Sequence, residues 1–243
     1  MTATIANYKM KRIFDTPKDT ARGFADHFLR LHKENNQLSI ALSGGSTPKI
    51  LFDLLAKEYQ EDFDWSKIHL YWGDERCVPP TDEQSNFKMT LDHLISKIDI
   101  PETNVHRVLG ENDPEEEAKR YADEINSNLP IVNKLPCFDI VLLGLGSDGH
   151  TASIFPHEME LLKDERVCAI GTNPDSGQKR VTLTGPVINN AKTICFLATG
   201  SGKSEKIDEI LNRKDGHLAY PAAHISPTDG ELHWYMDKNA STN

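Results

Sequence analysis

Apolar runs and amphipathic stretches succeed one another along this chain in a regular order. Ile140–Leu143 is a continuous apolar run, the pattern of a strand covered on both faces, as in a parallel sheet between layers of helices. Lys9–Phe14, Leu38–Leu42, Ile68–Trp72, Val167–Ile170, Thr193–Ala198 and Leu232–Met236 read as further strands, Arg180–Thr184 alternates as a strand does, and His106-Arg107 closes another short one. Helical spacing fills the gaps. Thr16-Pro17 offers a cap and a first-turn proline for a helix to about Lys33, with Phe24, Phe28 and Leu31 on its apolar face. Ile50, Leu51, Leu54 and Leu55 form a second helical face, and Phe87, Leu91, Leu94 and Ile95 a third. Asp113-Pro114 opens an acidic helix to about Asn128, and Thr184-Gly185-Pro186 starts a short one. Strand, turn and helix in repetition predict an α/β fold: a doubly wound, mostly parallel sheet with helices on both faces, Rossmann-like. No linker, repeat or low-complexity tract divides the chain, so one domain is expected over residues 1–243, with a loose polar tail at about 238–243.

In such sheets ligands bind beyond the carboxyl ends of the strands, so the loops there carry the candidate chemistry. After Leu42 comes Ser43-Gly44-Gly45-Ser46-Thr47-Pro48, where glycines let backbone N–H groups converge, hydroxyls add donors and a helix start faces the loop. It suits a phosphate, or is an ordinary helix cap. After Trp72 comes Gly73-Asp74-Glu75-Arg76, with a loop from Cys77 to Gln84. Asp74 is a candidate base and Arg76 a candidate anion holder, or the two form a local ion pair. After Leu143 the chain runs through Gly144, Gly146, Asp148, Gly149, His150 and Thr151. These glycines match the G-x-G-x-x-G dinucleotide pattern, but Pro156 follows too soon for the required helix and Val167–Ile170 ends without an acid. Thr199–Ser204 nearly spells a nucleotide P-loop, yet Leu197 stands where the first glycine belongs, leaving Lys203 as a single cation near a helix start.

Composition narrows the field. The 243 residues carry 27 Lys and Arg against 37 Asp and Glu, a formal net charge of −10, with no long basic run. A nucleic-acid partner is not expected, whereas a small anionic metabolite needs only a few local cations. The N-terminal stretch lacks the apolar core of a signal peptide and no run has the length of a membrane span, so a soluble cytoplasmic protein without a membrane partner is expected. Cys77, Cys137, Cys168 and Cys195 are too scattered for a zinc knuckle or a disulfide framework.

Three loops taken together resemble one family. LSGGSTP at Leu42–Pro48, WGDERCVP at Trp72–Pro79 and LLGLGSDGHTASIFP at Leu142–Pro156 are similar to the 6-phosphogluconolactonases, with RVTLTGP at Arg180–Pro186 and YPA at Tyr220–Ala222 in support. The resemblance implies hydrolysis of 6-phospho-D-glucono-1,5-lactone, a sugar phosphate lactone, to 6-phospho-D-gluconate in the oxidative pentose phosphate pathway, with no cofactor and no metal. It implies His150 as the base that activates water, Asp148 as its orienting partner, and Arg76 near either the oxyanion or the phosphate. Asp74 would hold sugar hydroxyls or Arg76. The phosphate would rest on Ser43, Gly44, Gly45, Ser46 and Thr47 with Arg180 and Lys203. A monomer or small homo-oligomer is expected. The alternatives are a glucosamine-6-phosphate deaminase/isomerase from the same superfamily, with Asp74 as base, and a sugar-phosphate-binding regulator that has lost its chemistry.

Overall fold

The structure, a computed structural model, describes residues 9–241. The first half contains β1 (Lys9–Phe14), α1 (Pro17–Glu34), β2 (Leu38–Leu42), α2 (Ser46–Glu58), β3 (Ile68–Trp72), β4 (Asp74–Arg76), α3 (Asn86–His93) and α4 (Pro114–Asn128). A small hairpin follows, β5 (Ile131–Val132) with β6 (Leu135–Pro136), and then β7 (Ile140–Leu143). The rest is β8 (Cys168–Thr172), β9 (Lys179–Leu183), α5 (Gly185–Asn189), β10 (Thr193–Ala198), α6 (Ser204–Leu211) and β11 (Glu231–Asp237). The starts of α1, α3 and α4 are capped by side chains: the Thr16 hydroxyl accepts from Asp19 N, Ser85 from Lys88 N, and Asp113 from the N–H groups of Glu115 and Glu116.

The main sheet runs β1-β11-β10-β7-β2-β3, with every neighbouring pair parallel. From β2 the chain winds outward to β3; from β7 it winds the other way, to β10 and β11. Adjacent β2 and β7 therefore mark the point where the winding reverses, and a crevice opens outside their carboxyl ends. Successive side chains of β11 point to opposite faces. Tyr235 meets Phe24 and His27 of α1, while Met236 shares a crevice with Ile207 and Leu211 of α6. Helices thus cover both faces, which is why Ile140–Leu143 is apolar at every position and buried throughout. Phe196 and Trp234, both fully buried, stack at 4.0 Å between ring centroids in the core.

A second, three-stranded antiparallel sheet, β4-β9-β8, departs from the expected layout. Gly73 joins the two sheets, donating its N–H to Leu42 O at 2.8 Å and accepting from Leu183 N at 2.9 Å. Asp74–Arg76, expected as loop, is a strand because it pairs with β9, a partner more than a hundred residues away in sequence. Glu75 anchors it: its buried carboxylate accepts from the N–H groups of Arg76, Asn86 and Phe87 and from the Ser85 hydroxyl. Burial pushes this carboxyl above the ordinary range, against the pull of those donors. His106-Arg107 closes no strand; Val105 makes one isolated bridge to Leu70, and Arg107 pairs with Glu111. Within the segment expected as a loose tail, Lys238–Ser241 forms a turn in which Ala240 is buried and Lys238 N donates to Phe14 O, while residues 242 and 243 lie outside the described residues.

Candidate active site

A cleft of about 470 Å³ lies at the winding reversal, lined by the loops that follow β2, β7 and β10 and by β4 and β9. Ser43, Gly44, Gly45, Ser46, Thr47, Asp74, Arg76, His150, Arg180 and Lys203 all line it. Asp148 stands behind His150 rather than on the wall.

The turn after β7 presents the imidazole. Gly146 N donates to His150 O at 2.9 Å and Gly149 N to Gly146 O at 3.1 Å, closing a tight loop. A side chain at Gly146 would not fit, because its Cβ would stand 2.2 Å from His150 Nδ1 and 2.6 Å from Asp148 Oδ1. Within the loop Asp148 Oδ1 sits 2.6 Å from His150 Nδ1 and also accepts the His150 N–H at 3.1 Å. Burial raises the Asp148 carboxyl, but the bonds and charge of His150 outweigh it and hold the group below the usual carboxylate range. With Nδ1–H donated to Asp148, Nε2 is left as an acceptor. The Phe155 ring supports the imidazole at 4.7 Å between centroids, and Arg180 lies over the same ring at 5.5 Å.

Cations gather on the other walls. Arg76 and Arg180 are directly opposed in the β4–β9 ladder, and the Nε of each is buried without a partner. The Arg76 guanidinium also donates to Gln84 O. Burial lowers the Arg180 pKa, with the charge of Asp74 opposing, and burial alone lowers that of Lys203. Like charges on facing strand residues destabilise each other unless an anion comes between them. At the start of α2 no side chain caps the helix, so its first N–H groups and the positive end of its dipole are open toward the cleft. Thr47 is fixed instead through its hydroxyl, 2.8 Å from that of Thr199.

Asp74 is not paired with Arg76. Its carboxylate accepts the Ser153 hydroxyl at 2.6 Å, and its carbonyl accepts Asn86 Nδ2 at 2.9 Å. Among the described residues no group of three or more His, Cys, Asp or Glu side chains converges as a metal site would, and no helix is long and apolar enough to cross a membrane.

The family model described as glucosamine-6-phosphate isomerases/6-phosphogluconolactonase matches residues 15–234, nearly the whole chain. The chain belongs to this family. Its similarity to the 6-phosphogluconolactonase of Treponema pallidum is 44% identity over 211 residues, 87% of each chain. With that of Haemophilus influenzae it is 42% identity over 228 residues, 93% of this chain and 96% of the other. Among solved structures, the 6-phosphogluconolactonase of Trypanosoma brucei superposes with a TM-score of 0.86 at 29% identity, covering 97% of this chain and 98% of that one.

In this member of the glucosamine-6-phosphate isomerase/6-phosphogluconolactonase family, sequence reading misses four residues that shape the site. Ser153 and Asn86 are buried and hold Asp74; Thr199 holds Thr47; Phe155 backs His150. Phe155 was within reach, since it lies five residues after His150 in the same motif. Ser153 lies in that motif too and Thr199 opens the Thr199–Ser204 stretch, but their partners Asp74 and Thr47 are far away in sequence, and Asn86 carries no local signal.

Proposed function

We propose that this chain hydrolyses 6-phospho-D-glucono-1,5-lactone to 6-phospho-D-gluconate. The observation that carries the reading is the Asp148–His150 pair at 2.6 Å, set in one cleft with Arg76, Arg180 and Lys203. The names of the relatives support it, as 6-phosphogluconolactonases of Treponema pallidum and Haemophilus influenzae.

The phosphate rests on the open start of α2 at Ser43–Thr47, between Arg76 and Arg180 and within reach of Lys203. The dianion relieves the repulsion between the two guanidinium groups and supplies partners for their Nε atoms. This assigns Arg76 to the phosphate rather than the oxyanion. Remote binding of this kind orients the lactone carbonyl toward His150. There Nε2 takes a proton from water as its oxygen attacks the carbonyl carbon. Asp148, accepting Nδ1–H, fixes the tautomer and stabilises the imidazolium that forms. The tetrahedral intermediate then breaks its bond to the ring oxygen, which receives the proton from His150 and leaves as the C5 hydroxyl. The carboxylic acid loses its proton to solvent. The enzyme is thus a carboxylic ester hydrolase.

Two assays on purified protein test the reading. One follows acid release from fresh lactone above its spontaneous hydrolysis; the other follows ammonia from glucosamine 6-phosphate. Lactone hydrolysis without ammonia is expected. Ammonia release would move the chemistry to Asp74, and silence in both assays would favour a binding protein.

A further inference from the structure

Gly149, between Asp148 and His150, has φ +85°, and a Cβ there would stand 2.5 Å from the Tyr220 ring. The Tyr220 segment is tied to this turn by backbone, Ala222 N donating to Gly149 O at 3.1 Å. The hydroxyl end of the ring is held as well. Lys206 of α6 lies over it at 4.7 Å and donates to the Tyr220 hydroxyl at 2.8 Å, while Glu209 holds Lys206 at 2.9 Å. Tyr220 does not line the cleft.

We infer that Tyr220 is a positioning residue: held by Lys206 and lying against Gly149, it fixes the turn so that His150 Nδ1 stays within hydrogen-bond distance of Asp148. The bond spans only two residues of a glycine-rich loop, which its own backbone bonds close and the ring braces from outside. A rigid aromatic ring pressed on the middle residue removes the loop's remaining freedom at little entropic cost. Lys206 and Glu209 then act on the catalytic pair only through the ring. The kinetic part of this inference rests on the lactone-hydrolase reading; the geometric part does not.

The test compares Tyr220→Ala and Tyr220→Phe with the unaltered protein. Tyr220→Ala is expected to lower kcat for the lactone about 10- to 100-fold with KM little changed, since a displaced base loses rate rather than substrate affinity. Tyr220→Phe keeps the ring and restores most of kcat. Carbon-13 NMR of the Asp148 carboxyl reads the same geometry without activity: its titration moves up toward the ordinary aspartate range in Tyr220→Ala and stays in place in Tyr220→Phe. Gly149→Ala is expected to cost more kcat in the unaltered background than in Tyr220→Ala, where the added methyl no longer meets the ring. Should Tyr220→Ala fail to fold, Tyr220→Leu carries the same comparison with an apolar side chain kept over the turn. An unchanged kcat and an unmoved Asp148 titration in the folded ring-less variant would overturn the inference. If the unaltered protein does not hydrolyse the lactone, the functional reading fails and the NMR comparison still decides the role of Tyr220.

Discussion

Asp148 Oδ1 lies 2.6 Å from His150 Nδ1, and both groups belong to one loop of the chain. A pair this local needs no assembly from distant elements, only a loop held in shape. In the proposed reaction it depends on the charge of the carboxylate as well as on its position. Asp148→Asn keeps the size and loses the charge, so the imidazolium forming during water attack goes unstabilised. The expected outcome is a kcat lower by about 10²–10⁴-fold with KM near its original value, read from steady-state kinetics on the lactone.

The facing Arg76 and Arg180 predict a response to anions. Inorganic phosphate, binding the folded state alone, raises the thermal midpoint of the unaltered protein. In Arg180→Ala that rise shrinks, and KM for the lactone increases about 10- to 100-fold with a smaller change in kcat. Removing one of two opposed like charges also leaves the ligand-free variant no less stable than the parent. A phosphate-induced rise of equal size in both proteins would place the anion elsewhere.

Ser153 is fully buried and donates to the carboxylate of Asp74, itself 6% exposed. Ser153→Ala strips a buried acceptor of its donor, at a cost of about 1 to 3 kcal/mol of stability, measurable as a lowered urea midpoint with unchanged slope. A variant as stable as the parent would show that Asp74 finds another partner, such as water from the cleft.

His27 is packed between α1 and β11, its ring 4.8 Å from that of His233 and its Nδ1 2.5 Å from the Tyr235 hydroxyl. Burial, reinforced by the charges of His233, Arg30 and Arg12 and opposed by Glu231, lowers its pKa from 6.5 to about 4. Between those values the unfolded chain takes up a proton that the folded chain refuses, so stability falls as pH drops through this window. The loss from this residue amounts to about 3 kcal/mol by pH 4. Urea unfolding from pH 7 down to pH 4 measures it, and His27→Phe should show a flatter profile over the same range.

How far the sequence reading reached follows from what each feature depends on. The main-sheet strands, the capped helices after Thr16 and Asp113 and the helix beginning at Ser46 carry local signals in their apolar runs, caps and prolines, and they lie close to where those signals place them. Two strands of the small sheet, β8 and β9, carry apolar or alternating signals and lie close to where Val167–Ile170 and Arg180–Thr184 place them, but β4 was not legible, because Asp74-Glu75-Arg76 has no apolar alternation and becomes a strand only through pairing with Thr182, Val181 and Arg180. The site divides in the same way. Asp148 and His150 share a motif, and the Gly-Ser loop announces an open helix start. Asn86 and Ser153 reach Asp74 from two other parts of the chain; Ser153 lies in the His150 motif, but nothing local says that it, or Asn86, pairs with Asp74. Asp74 and Arg76 share a face of β4, as strand residues two apart do, but do not pair, because each is committed elsewhere, Asp74 to the Ser153 hydroxyl and Arg76 to Gln84 O.

The most direct test of the central claim is the initial rate of acid release from fresh 6-phosphogluconolactone, corrected for spontaneous hydrolysis, in the unaltered protein and in His150→Ala. The account predicts rapid hydrolysis by the first and a rate near background for the second, which still binds phosphate as judged by its thermal midpoint. Hydrolysis by His150→Ala at a rate close to the parent would contradict it and remove the imidazole from the mechanism.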